Sequence, residues 1–542
     1  MASDNGGSDM SFVPNEYEQM SITDPIFSFS KRQKRFLQNS WCIYFAEHVF
    51  PKIDEAPFAV LYSEKASRPN TPVNILIGAL LLKEFHGLSD DGILNALIFD
   101  PRFQIALHTS SFPEQPISDR SFGRFRERCD RYREETGIDL LKEAIESVSG
   151  EMATMMKIDG SLRRMDSAMI NANIKRMSRL ELLYTCVANL VKEIRKQGKD
   201  LPEGLLHYAE SDDRNRVIYH NRSEDTEERI KTVLQDAQSL KEYCGSGYDE
   251  SSNYLLLCRV LREQTITGED GGIRLRGKGE GMTAEILQNP ADPEATFREK
   301  AGSQNVGYTA NLTESVGEEG AGIITSYQFE QNTYSDSQFL KDEITDMGEQ
   351  ETTVTVVTDG AYASSENTEL AEGNNIRLIH TNLTGREAAD ILADFEFSED
   401  GTKVLRCAGG HSPRSCCYSR KNGQCTISFD RATCENCPHF KECHPKVNKR
   451  TCRKTVSLTG KHRAEQQRFR STEEFSLMTR IRNGVESLPS VLRRRYHVDQ
   501  IPARGKHRKS IFFGCKIGAL NFAKFCRYQQ RQGNSALLST EG

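Results

Sequence analysis

The sequence predicts an α/β fold: a mixed sheet flanked by helices, with an α-helical N-terminal domain and a Cys-rich insertion. Three observations predict it. Thr352 to Thr358 is an unbroken run of β-branched residues, the composition of a largely buried strand. Elsewhere apolar residues recur at helical spacing, as Leu180, Leu183, Val187, Leu190 and Ile194 do. Eight of the 15 Cys fall between Cys407 and Cys452.

Residues 1–24 are rich in Ser, Asp, Asn and Gly, and are expected to be disordered. From 25 to 150 the pattern is helical. Val73 to His86 reads as an amphipathic helix that Gly87-Leu88-Ser89-Asp90 breaks, and Ser89 suits the cap of the next helix, through Leu94 to Phe99. Ser118-Asp119 is expected to cap a helix from Arg120 to Arg133, which carries Arg124, Arg126 and Arg128. These short helices suit either a helix-turn-helix unit or a helical bundle with a basic surface.

An α/β core is expected to begin at about 151 and run to 383. A strand-like stretch from Met155 to Ile174 leads into the helix Arg179 to Lys196. A charged, mostly helical insertion occupies about 198–290. Strands return at Val306 to Leu312 and Gly322 to Gln328, with a hairpin turn at Gly317 to Gly320. A helix from Ser337 to Met347, the β-branched strand and a strand from Ile376 to His380 follow. Residues 384–460 form the Cys-rich insertion, expected to be loop-rich. Residues 461–542 complete the core, helical over 472–495 with a break at Pro489, and end in a helix from Gly514 to Gln530.

A chain of 542 residues has room for about three domains. No apolar run is long enough to span a bilayer, and no secretory signal is evident, so a cytoplasmic location with reduced thiols is expected. Net charge is −6, but it is unevenly spread. Lys441 to Gly542 holds 23 Lys+Arg against 7 Asp+Glu, a net of +16, which leaves −22 for the rest. The basic residues are interleaved with Phe512, Phe513, Phe522 and Phe525, unlike a solvated tail. A basic face of this kind meets a polyanion.

Three acids stand where a metal-dependent phosphoryl-transfer site could use them. Asp166 lies on a strand-like segment, Asp359 at a strand end before Gly360, and Glu486 in a helical segment. Together such acids can hold two hard cations about 4 Å apart, one to activate water and one to stabilise the leaving oxygen. Each also has a plainer reading. Asp359 could cap a turn, Glu486 could pair with Arg482 at i−4, and Asp159 rivals Asp166. A separate group, Cys407, Cys434, Cys437 and Cys443, offers four thiolates to a structural zinc, with Cys416, Cys417, Cys425, Cys452, His411 and His444 as competitors. Arg493, Arg494 and Arg495, then Arg504 to Lys509, offer dense phosphate contacts.

Arg-Met-Asp-Ser at 164–167 with Ser-Arg-Leu-Glu at 178–181, Thr-Asp-Gly-Ala-Tyr at 358–362, and Arg482 with Glu486 together resemble the DDE transposases of bacterial insertion sequences. The likeness runs from about Asn74 to Phe525. It implies an RNase H-like core in which Asp166, Asp359 and Glu486 bind magnesium or manganese. It also implies that Arg482 and Arg493 contact phosphates near the scissile bond. Arg493 stands where the family carries Lys, and Thr479 where it carries Tyr. The implied reaction is hydrolysis at the element ends, then attack of the freed 3′-hydroxyl on target DNA. The implied partner is double-stranded DNA held by a homodimer at the bacterial nucleoid, with the N-terminal helices recognising the ends. Two other readings stay open: a non-catalytic, zinc-bearing DNA-binding protein, and a metal-dependent nuclease that cuts without joining.

Overall fold

A computed structural model describes residues 11–15, 25–63, 68–110, 112, 114–219, 225–268, 272–277, 279–300, 302–317, 320–381 and 388–540, the side chains of 25–26 and 533–540 excepted. The stretch expected to be disordered therefore lies outside the described residues, apart from 11–15, where Ser11 bridges to Ser63 and Pro69.

Short helical turns between Pro25 and Leu61 lead to α1 (Val73–His86), α2 (Asp90–Phe99), α3 (Ser121–Thr136) and α4 (Leu140–Met155). α1 ends where the chain turns left-handed at Gly87, φ +67°, a conformation glycine adopts without steric penalty. The Ser89 hydroxyl accepts from Gly92 N and caps α2 as expected. The helix expected from Arg120 starts at Ser121, and Ser118 bonds the Ser121 hydroxyl instead of capping.

β1 (Leu162–Asn171) is followed by α5 (Arg179–Lys196), α6 (Thr226–Cys244) and α7 (Ser252–Gln264). These three helices share a core of their own, with Leu183, Val187, Leu190, Leu234, Leu240 and Leu257. The inserted body thus begins with α5, whose apolar stripe packs inward on it.

β2 (Thr296–Lys300), β3 (Ser303–Val316), β4 (Gly322–Gln331), α8 (Asp336–Met347), β5 (Val354–Thr358), α9 (Ser365–Gly373) and β6 (Ile376–His380) complete the main sheet. Its order is β4-β3-β1-β5-β6, with β2 pairing along β3 beyond the end of β1. β4, β3 and β1 are antiparallel, whereas β5 and β6 run parallel to β1. This is the RNase H-like mixed sheet. Of the expected hairpin turn between β3 and β4, Glu318 and Glu319 lie outside the described residues.

β7 (Ser415–Ser419), β8 (Gln424–Asp430), β9 (Lys446–Val447) and β10 (Thr451–Val456) form a second, antiparallel sheet in the order β7-β8-β10-β9. The Cys-rich insertion is therefore more regular than its sequence promised. Cys425, Ile427 and Phe429 alternate inward along β8 and build a small core with Phe395, Val404 and Val456.

α10 (Leu458–Arg470) and α11 (Glu473–Asn483) follow, then a 3₁₀ turn at Gly484–Glu486, α12 (Ser487–Tyr496) and α13 (Lys506–Thr540). The break expected at Pro489 falls at that turn instead. Pro489 sits in the first turn of α12, where no intrahelical bond is lost.

Each sheet face is covered. α1, α4 and α13 pack on one through Leu80, Leu81, Ile145, Leu312, Tyr327, Ile517 and Phe522. α8 and α9 cover the other, with Met165, Phe339, Ile344 and Val356 beneath them. No helix among the described residues is long and apolar enough to cross a membrane.

Candidate active site

β1 and β5 lie side by side and parallel, with Arg164 level with Val357. Asp166 and Asp359 each stand two residues beyond that rung, so adjoining strands deliver both at the same end of the sheet. Hydrogen bonding along β1 fixes the first, and β5 ends just before the second. Glu486 arrives from the side, on the turn between α11 and α12.

The three acids meet around one side chain, Arg482 of α11. Its Nη2 lies 3.2 Å from Asp166 Oδ1 and 3.9 Å from Asp359 Oδ2, and its Nη1 pairs directly with Glu486 Oε1. The guanidinium is buried, while its partners grade outward, with side-chain exposures of 19% at Asp166, 40% at Asp359 and 58% at Glu486. Three carboxylates around one guanidinium leave an excess of two negative charges in a mouth open to solvent. Burial pushes the Asp166 carboxyl above its ordinary range, an effect that Arg482 partly offsets. At the end of β6, burial pushes His380 down to about 4, so its imidazole is neutral beside Asp359. His380 Nδ1 is 2.7 Å from Thr358 Oγ1. Asp159, the rival to Asp166, accepts from Ser161 N and Oγ in the exposed turn before β1 and stands apart from the group.

The basic residues singled out in the sequence divide. Arg482 lies among the carboxylates. Arg493 donates to the Met169 carbonyl of β1 at 2.7 Å and sits 3.4 Å from Asp499. Arg495 stacks on Phe85 and Tyr496, and Arg494 is exposed. Thr479, where the resemblance leads one to expect Tyr, donates back to Phe475 O within α11. Sequence reasoning missed Arg164 and Glu314, a buried charged pair beneath the site, and Lys524, a partly buried cation that joins it. A lone Glu in the otherwise apolar and hydroxyl-rich interior of β3 was the available signal.

In the insertion, Cys407, Cys434, Cys437 and Cys443 line one cavity of about 30 Å³, together with His411 and His439. Burial, then neighbouring Cys452, pushes the Cys434 thiol up to about 12. A β-carbon at Gly409 would lie 2.8 Å from Cys437 Sγ, so the turn there admits only glycine without a shift. Cys425 faces away, its sulfur 3.3 Å from the Thr402 carbonyl. The donor chemistry of both groups fits a cation: hard carboxylate oxygens in one, thiols and imidazoles in the other. Among the described residues, no group of three or more His, Cys, Asp or Glu is placed to hold a metal ion as it stands. Among the carboxylates, Arg482 occupies the space between the three acids that a cation would take.

Two family models match the chain. A model described as a transposase domain (DUF772) matches residues 32–128, and one described as a transposase DDE domain matches residues 406–526. No curated protein matches. A solved structure titled as the cryo-EM structure of a piggyBac transposase synaptic complex with hairpin DNA aligns over 91% of this chain and 75% of that one, at 9% identity and a TM-score of 0.28. So loose an overlay does not bear on the fold, which rests on the strand order.

Proposed function

We propose that this chain, a member of the DDE-type transposases, binds the ends of a mobile element, hydrolyses the DNA strands there and joins the freed 3′-hydroxyl to target DNA. One observation carries the reading: three acids up to 320 residues apart in the sequence converge on the Arg482 guanidinium. Asp166, Asp359 and Glu486 would hold two magnesium or manganese ions. When bound, these supply the activation of water and the leaving-group stabilisation of an in-line displacement.

The chain's own residues do the rest. The strands fix Asp166 and Asp359 relative to each other, so little order is lost on loading. Glu486 closes the group from the solvent side. Arg482 offsets part of the acids' charge in the protein alone, and its planar fork matches a phosphate when DNA arrives. Arg493 beside β1, with exposed Arg494 and Arg495, continues that positive surface away from Asp166. Residues 25–150 are assigned to recognition of the element ends, the core to 151–383 and 461–542, and a zinc-stabilised module to 384–460. The chain acts as a homodimer on double-stranded DNA at the nucleoid.

The test uses labelled DNA carrying the element ends, with Mg²⁺. The unaltered chain is expected to give nicked and joined products. Asp359→Asn is expected to bind the same DNA and give neither. Nicked product alone from the unaltered chain would favour a nuclease without strand transfer. Bound DNA without any product would favour a non-catalytic binding protein. Undiminished cleavage by Asp359→Asn would remove that residue from the site.

A further inference from the structure

Beneath the carboxylates lies a buried ionic cluster whose geometry faces the site. Arg164 stands two residues before Asp166 on β1, hence on the same face of the strand, and is 7% exposed. It pairs directly across the sheet with Glu314 of β3. Its Nε and Nη2 both lie 2.6 Å from Glu314 Oε2, and Lys524 of α13 binds the other carboxylate oxygen. The third nitrogen, Nη1, leaves the sheet and donates to the Ile481 carbonyl at 2.5 Å. Ile481 is in the last turn of α11, immediately before Arg482.

Two physical points give this arrangement a purpose. A buried ion cluster contributes little stability over apolar groups of the same shape, so stability alone does not account for it. The Ile481 carbonyl also accepts from Gly484 N–H as α11 tightens into the 3₁₀ turn, and like other carbonyls near a helix end it carries partial negative charge, so a second donor from a guanidinium fixes that end. Gly484, the first residue of the turn that bears Glu486, packs on the same group. A β-carbon there would lie 2.1 Å from Arg164 Nη1, although its φ of −61° is open to any residue. An alanine at 484 and the present place of the Arg164 guanidinium thus exclude each other.

We propose that Arg164 is a positioning residue: it clamps the end of α11 to β1 and so sets Glu486 against Asp166 and Asp359. This rests on the reading of those three acids as the cation site. Lysine at 164 would keep the pairing with Glu314 but lacks the fork that reaches Ile481 at the same time. Alanine at 484 would drive the guanidinium off the helix end from the opposite side.

The experiment measures Mn²⁺ binding directly, by calorimetry on the full chain, for Arg164→Lys, Gly484→Ala and Asp359→Asn. DNA affinity and thermal melting are recorded alongside. Arg164→Lys and Gly484→Ala are expected to weaken Mn²⁺ binding by about 10- to 100-fold, the usual cost of losing an outer-shell support, and to leave DNA affinity unchanged. Should Arg164→Lys fail to fold, Gly484→Ala, which keeps every member of the ionic cluster, carries the test. Unchanged Mn²⁺ affinity in the folded clamp variants, with affinity lost in Asp359→Asn, overturns the clamp alone. Unchanged affinity in all three removes the carboxylate site and the clamp with it.

Discussion

Asp166 and Arg482 divide the work of a site that must be stable before it is used. Asp166 is the deepest of the three acids, and burial raises its carboxyl above the ordinary range despite the nearby guanidinium. An acid raised in the folded state costs stability as pH climbs past its unfolded value. At neutral pH its charge is therefore a net burden on the fold. Asp166→Asn is expected to melt at the same temperature as the unaltered chain or higher, while losing DNA cleavage. Melting without added metal checks this, and a lower midpoint would mean that pairing with Arg482 outweighs burial. Asp359 was legible because a β-branched run ends against it. Glu486 was legible as an acid but not as a turn residue. Beside that turn stands Arg164, whose partner Ile481 lies 317 residues further along the chain. No local pattern could announce that contact.

At the level of elements, the sequence spoke clearly where one period dominates. The bounds of Arg179–Lys196 and Ile376–His380 match those expected, whereas Val73–His86 keeps its bounds but, expected to be amphipathic, is buried on every face from Val73 through Glu84. β3 is longer than expected because Thr313, Glu314 and Ser315 are buried polar residues that extend it beyond its apolar part. The Cys-rich insertion was misjudged for a related reason: its cysteines obscure the alternation along β8. Its core is small, with Phe395, Val404, Ile427, Phe429 and Val456 as the main apolar members. A bound ion would stabilise such a module appreciably. Replacing Cys434 and Cys437 by Ser is expected to lower zinc content by elemental analysis. It should also make the segment 404–456 the first to be cut in limited proteolysis. Equal zinc in variant and parent would exclude both thiols as ligands.

Over the whole molecule, buried imidazoles and buried carboxyls pull the pH dependence of stability in opposite directions. His86 packs between Trp41 and Phe103, and His380 lies under the carboxylate site; burial pushes each from 6.5 to about 4. At these two imidazoles the unfolded chain binds more protons than the folded one between those values, so their contribution to stability falls as pH drops through that window, while Glu146, which burial raises to about 7, acts in the opposite sense. The urea midpoint of His380→Asn is therefore expected to fall less, or rise more, between pH 7 and pH 5 than that of the unaltered chain. The same pH dependence in both would mean that this imidazole is not held neutral. The long helix α13 has a different consequence. It fills the seam between the N-terminal helices and the sheet, with Ile517, Leu520, Phe522 and Phe525 all inside. During synthesis, that seam stays unsealed until the ribosome has released Phe525, some 500 residues after Phe27 in rough terms. A nascent or prematurely terminated product thus carries Asp166 and Asp359 on a sheet with part of one greasy side uncovered, prey for proteases.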